Sequence, residues 1–144
     1  MLAGSGVCGV IHRAAGRELA EYGKRFAPLG LGQAVVTPGF NLQNRLIIHV
    51  HGPKYLFDQE PAQYLAECVH NALKLADENQ VKRIAFPAIS TGIYGYPMAE
   101  ATHVLVNAVY ELMSSLNHVN EIRFVVTSPE VQCGFNQEIL ACLS

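Results

Sequence analysis

The sequence predicts an α/β sandwich with helices packed over a mixed sheet. Three observations point there. Short β-branched runs are bounded by glycine and proline, longer stretches repeat apolar residues at helical spacing, and the two kinds alternate along the chain. With 144 residues, the chain is long enough to form one domain (residues 1–144) around a buried core.

Each element has its own justification. Residues 7–25, VCGVIHRAAGRELAEYGKR, place Val7, Val10, Ile11, Ala14 and Ala15 at helical spacing, so a helix starts near Val7; Gly16 and Gly23 weaken its second half. GQAVVTPG (32–39) and RLIIHVHGP (45–53) read as two strands. Residues 61–80 form a helix opening on Pro61, with an apolar stripe at Leu65, Val69, Leu73 and Ala76. RIAFPAI (83–89) is a buried strand. Residues 97–116 are a helix with Pro97 in its first turn, where a missing N–H costs nothing. EIRFVVTS (121–128) is a further strand, and residues 129–143 a last helix broken near Gly134. The order is therefore α-β-β-α-β-α-β-α.

Composition narrows the function. Half the residues are hydrophobic and 15% are charged, as in a soluble globular protein. The net charge is −2 and the ten Lys and Arg are scattered, which argues against nucleic acid as the partner. Cys8, Cys68, Cys133 and Cys142 show neither CxxC nor zinc-finger spacing and read as reduced thiols. No signal peptide or membrane-spanning run is visible, so the expected location is the cytoplasm and no membrane contact is expected.

Two loops carry chemistry. In STGIYG (90–95), between a strand and a helix, Gly92 and Gly95 allow consecutive N–H groups to turn inward around an anion, Ser90 and Thr91 add hydroxyls, and Tyr94 can cover the ligand. A tight turn built from ordinary turn residues would look similar. GSGVCG (4–9) also runs into a helix, although it is neither a Walker A loop nor a dinucleotide fingerprint. Two anion-friendly loops at helix starts suggest a ligand with more than one phosphate.

The segments GSGVCGVIHRAAG (4–16), GQAVVTPGF (32–40), LIIHVHGP (46–53) and IAFPAISTGIYGYP (84–97) occur in the order and at the spacing found in macrodomains, the ADP-ribose-binding modules. The resemblance spans nearly the whole chain and implies a three-layer α/β/α sandwich. IHRAAG is similar to the branch that includes ADP-ribosyl hydrolases and O-acetyl-ADP-ribose deacetylases. On this resemblance Gly4, Ser5, Gly6, Val7, Cys8 and Gly9 form one phosphate loop. Ser90, Thr91, Gly92, Ile93, Tyr94 and Gly95 form the second, around the diphosphate and distal ribose, with Ala88 and Ile89 beside that ribose.

Met1 aligns with the middle of the family pattern, so the resemblance implies an N-terminally shortened member. Family members carry earlier strands with an acidic residue for the adenine, and an Asn-Ala-Ala-Asn segment whose last Asn contacts the distal ribose. No residue here takes those roles by position. Because one such strand lies at the centre of the family's sheet, either the remaining strands re-pair or another chain, such as the second copy of a homodimer, fills the gap; the frame is otherwise a shortened version of a longer protein.

Cys8 stands where many hydrolase-branch members have aspartate, and His12 is a general base by type or a packed helix-face histidine. His49 and His51 share a strand face but have no visible third ligand, so no metal and no cofactor are expected. Arg13 and Arg17, four apart, meet phosphate or form a solvated edge; Phe135 lies by the adenine or in the core. The catalytic residues stay unassigned. The leading function is binding of ADP-ribose or an ADP-ribosylated molecule. The alternatives are hydrolysis of ADP-ribosyl or O-acetyl-ADP-ribose esters, and a ligand-free, self-associating remnant.

Overall fold

A computed structural model describes residues 6–26 and 28–144. Helix α1 spans Gly6–Ala15 and α2 spans Arg17–Gly23, followed by a 3₁₀ turn at Lys24–Phe26. Strands β1 (Ala34–Pro38) and β2 (Leu46–Val50) come next, then α3 (Pro61–Glu78), β3 (Arg83–Phe86), α4 (Met98–Met113), β4 (Glu121–Phe124) and α5 (Pro129–Leu143). The alternation expected from the sequence is present, with two departures at its ends.

The first helix is two helices. Gly16 has φ 92°, a left-handed conformation that ends α1, and a Cβ there would lie 2.6 Å from Asn41 Nδ2. Because the axis breaks between them, Arg13 and Arg17 sit on different helices; both are exposed. At the other end, α5 continues through Gly134 where a break is expected. Ser128 Oγ accepts the Val131 N–H at 3.2 Å, Pro129 starts the helix, and Phe135 stacks on Phe124 with ring centroids 4.7 Å apart. A lone helical glycine costs only about 1 kcal/mol relative to alanine, less than these anchors supply together. Phe135 is therefore a core residue, only 3% exposed.

The central layer is mixed, as expected, but it is not one sheet. β1 and β2 pair antiparallel, with Ala34 opposite Val50 and Pro38 opposite Leu46. β3 and β4 pair parallel, with Arg83 opposite Glu121 and Phe86 opposite Phe124. No backbone hydrogen bond joins the two pairs among the described residues. The remaining strands have not re-paired across the gap.

Helices α3 and α4 hold the half-sheets together. Leu65, Leu73 and Leu105 are fully buried, each stabilising the fold by about 1.5–3 kcal/mol in area terms. Ile48 and Val50 of β2 pack on the same cluster as Ile84 and Phe86 of β3. The α3 stripe is as the spacing predicts, widened by Cys68 and Ala72; burial pushes the Cys68 thiol up to about 12, which keeps it protonated. α2 covers the hairpin from elsewhere on its surface, with Tyr22 against Phe26 and Phe40 at 5.9 and 5.8 Å. No helix among the described residues is long and apolar enough to cross a membrane.

Asp77, near the end of α3, pins the turn after α4. Its carboxylate accepts the N–H groups of Asn117, His118 and Val119 at 2.7–3.1 Å. Those bonds, chiefly that from His118, lower its pKa below the model-compound 3.8. A depressed carboxylate stabilises the fold above its unfolded pKa and loses that effect as pH falls through its lower folded value. Asp77→Ala should therefore lower the urea midpoint at neutral pH, and the gap to the parent should narrow steadily below pH 3.8; a gap independent of pH down to acid unfolding would contradict this role.

Candidate functional site

The loops that follow β2 and β3 meet at one end of the half-sheets. Tyr55 N–H donates to the Tyr94 carbonyl at 3.0 Å, tying the two loops together. Gly52 lies so close to the second loop that a Cβ would stand 2.3 Å from Ser90 Oγ and 2.8 Å from Ile89 Cγ2. Tyr55 also donates its hydroxyl to Glu100 Oε2 at 2.7 Å, in the first turn of α4, and its ring lies 4.9 Å from that of Tyr96. The Glu100 hydrogen bond raises the Tyr55 pKa, so the hydroxyl keeps the proton it donates.

Within residues 88–96 the backbone folds back on itself. Ala88 O accepts both the Thr91 N–H at 3.3 Å and Thr91 Oγ1–H at 2.6 Å; Gly95 N–H donates to Gly92 O at 3.0 Å, and Tyr96 N–H to Ser90 O at 2.9 Å. Ser90 (φ 67°) and Gly95 (φ 71°) take the left-handed conformation that makes this curl. What remains is chemically specific. The N–H groups of Gly92, Ile93 and Tyr94 donate to no acceptor among the described residues. Nothing lies within 4 Å of where a Cβ would project from Gly92 or Gly95, so that side of the loop is open. Successive unpartnered N–H groups just before a helix start form a site for an anion. Lys54 Nζ, 5.6 Å from the Tyr94 ring centroid, adds positive charge at the rim.

The structure brings together Ser90–Gly95 with Ala88 and Ile89, which line the base of the loop as half-buried and buried residues. For the first glycine loop, Gly4 and Ser5 lie outside the described residues. Gly6, Val7, Cys8 and Gly9 form the first turn of α1, with Val7 and Cys8 exposed. Gly52, Lys54 and Tyr55 were assigned no role from sequence; HGP was visible as a motif, but Gly52's need for a bare backbone depends on Ser90, distant in the chain.

The histidines go separate ways. His12 is 7% exposed, with neither ring nitrogen partnered among the described residues, and burial lowers its pKa. Its ring centroid lies 6.4 Å from that of His49, whose pKa falls to about 4, first through burial and then through His12. Thr37 Oγ1 lies 2.9 Å from His49 Nε2 and 3.2 Å from Pro38 O, so the Thr37 hydroxyl and the His49 ring share a hydrogen bond. His51 Nδ1–H instead donates to Leu29 O at 2.7 Å. No group of three candidate metal ligands occurs among the described residues.

A glycine-rich turn with open N–H groups at the end of a strand, on an α/β/α scaffold, is the arrangement the motifs predict. Comparison narrows it: the Macro domain family matches residues 1–105, and the chain belongs to that family. A macro domain-containing protein of Ralstonia nicotianae is 45% identical over 120 residues, covering 83% of this chain and 70% of the relative. The O-acetyl-ADP-ribose deacetylase of Salmonella typhimurium is 38% identical over 135 residues, covering 90% and 75%. A Fusobacterium nucleatum relative is 43% identical over 111 residues, and the match spans 63% of its length. A solved mutant of the Oceanobacillus iheyensis macrodomain with ADPR superposes at TM-score 0.93 and 31% identity, covering 99% of this chain and 80% of that one. The three-layer fold expected from the motifs is thereby established.

Gly52 yields a stability prediction. Gly52→Ala forces its methyl into Ser90 Oγ and should destabilise the fold by about 1–3 kcal/mol, as overpacking does. Ser90→Gly removes that oxygen and relaxes a positive φ but leaves Ile89 Cγ2 at 2.8 Å, so the double variant should regain part of the loss in thermal melts. A double variant no more stable than Gly52→Ala would show that the contact is not what demands glycine.

Proposed function

We propose that this chain binds ADP-ribose, or the ADP-ribosyl group of a modified molecule, through its diphosphate. The observation that carries the reading is the run of unpartnered N–H groups at Gly92, Ile93 and Tyr94, open on one side and leading into α4. Ser90 and Thr91 border the diphosphate, Ala88 and Ile89 the distal ribose, and the first turn of α1, Gly6, Val7, Cys8 and Gly9, forms the second phosphate wall. Tyr94 and Gly95 close the loop, with Lys54 supplying charge to its rim. Backbone donors suit this task because they hold fixed positions and need no side-chain ordering.

A second reading, hydrolysis of an ADP-ribosyl or O-acetyl-ADP-ribose ester, is favoured by the relative named a deacetylase. The residues here give it less support. Cys8 is exposed in the first turn of α1, and a thiol holds water less well than a carboxylate. His12 is shut away from solvent with a lowered pKa, a poor setting for proton exchange with a bound ester.

Calorimetric titration with ADP-ribose tests binding, with AMP as the control lacking a diphosphate. Wild type should bind ADP-ribose one-to-one and AMP far more weakly. Gly92→Glu puts a carboxylate on the open side of the loop without a steric clash and should abolish the heat, while Gly92→Ala should retain it. Equal binding by Gly92→Glu, or no preference over AMP, would remove the diphosphate from this loop.

A further inference from the structure

The three most exposed large apolar side chains among the described residues are Ile93, Leu56 and Phe57, at 88%, 85% and 83%. All three belong to the two loops of the candidate site. Ile93 stands on the 90–95 turn beside Tyr94, whose carbonyl accepts the Tyr55 N–H at 3.0 Å, and Leu56 and Phe57 follow Tyr55 directly. The bond that ties the loops therefore has an exposed apolar residue on each side of it. Single apolar residues on a surface are ordinary, but the three extremes of exposure gathered at one site mark a contact surface.

The segment that carries Leu56 and Phe57 has a fixed shape. Lys54 O accepts the N–H groups of Phe57 and Asp58 at 3.1 and 2.9 Å, and Asp58 Oδ2 accepts the Lys54 N–H at 2.7 Å. This closed turn holds both side chains away from the core, where they contribute no burial to the fold.

The ligand proposed above does not account for them. Its distal ribose is rich in hydroxyl groups and gains nothing from leucine, phenylalanine and isoleucine. In a modified molecule, the part attached to that ribose can use them. Nucleic acid suits the surface badly, because Asp58 and Glu60 put negative charge beside the turn where phosphates would lie. A polypeptide with apolar side chains suits it well. Resting on the diphosphate reading of the 90–95 loop, we propose that Leu56, Phe57 and Ile93 form a contact surface for the polypeptide that bears the ADP-ribosyl group. They favour targets with an apolar residue next to the modified one.

The test is calorimetry on the whole chain with three ligands: free ADP-ribose, and two peptides carrying it through a linkage that resists hydrolysis. One peptide has leucine on both sides of the modified residue, the other serine. Wild type should bind the leucine peptide about tenfold more tightly than the serine peptide or free ADP-ribose. The double variant Leu56→Ser/Phe57→Ser should lose that preference while keeping its melting temperature and its affinity for free ADP-ribose. Equal binding of the two peptides by wild type, with free ADP-ribose still bound, overturns this surface and leaves the diphosphate reading standing. Failure to bind free ADP-ribose overturns both. A parallel loss of affinity for all three ligands in the double variant also overturns the proposal, since the turn would then support the loop instead of touching the peptide. Sedimentation of the free chain completes the test: a monomer is expected, and self-association abolished by the double variant would mean that a second copy covers the turn and would overturn the proposal.

Discussion

Two half-sheets that share no hydrogen bond among the described residues are held side by side by the helices packed against them. In most α/β proteins the ladder fixes strand spacing and the helices cover it; here the order of dependence is reversed. Leu65, Leu73 and Leu105 form the floor on which Ile48 and Val50 from one pair and Ile84 and Phe86 from the other are set. Apolar burial is non-directional, so it positions strands without demanding that they touch. Among the described residues that leaves backbone groups of Leu46, Ile48, Val50, Arg83 and Ala85 without strand partners, at a cost of about 1–3 kcal/mol for each one kept from water.

The candidate site sits at the joint between the halves, which explains its construction. With no ladder crossing there, the loops are fastened by local bonds: Tyr55 N–H to Tyr94 O, Tyr55 hydroxyl to Glu100, and the contact of Gly52 with Ser90. Each links the β2 side to the β3 side. The loop itself uses the Ala88, Ser90 and Gly92 carbonyls to close its curl and leaves three successive N–H groups without an acceptor among the described residues. The fold thus places the open turn of residues 90–95 at its least continuous seam.

Much of this was legible in the sequence because it rests on local rules. The β-branched runs at 34–38 and 46–50, the α3 stripe opening on Pro61, and the glycines of STGIYG express backbone preference and periodicity, which neighbours along the chain determine. The family followed from the same loops, since an anion cradle needs particular residues at consecutive positions. The misreadings share one cause. Gly16 breaks its helix while Gly134 does not, although both are glycines in helical runs. Asn41 stands against the first, whereas capping by Ser128 and stacking of Phe135 on Phe124 carry the second.

The sequence by itself determined the element order, the glycine-rich turn at residues 90–95 and membership of the macro domain family, because spacing and backbone chemistry are written in adjacent residues. Only the tertiary structure decided that, among the described residues, the sheet is split and His12 is buried without a partner, that Asp77 holds a turn some forty residues away, and that Gly52 must be bare. Each of those depends on which distant atoms share a space, and packing in three dimensions sets that where periodicity cannot.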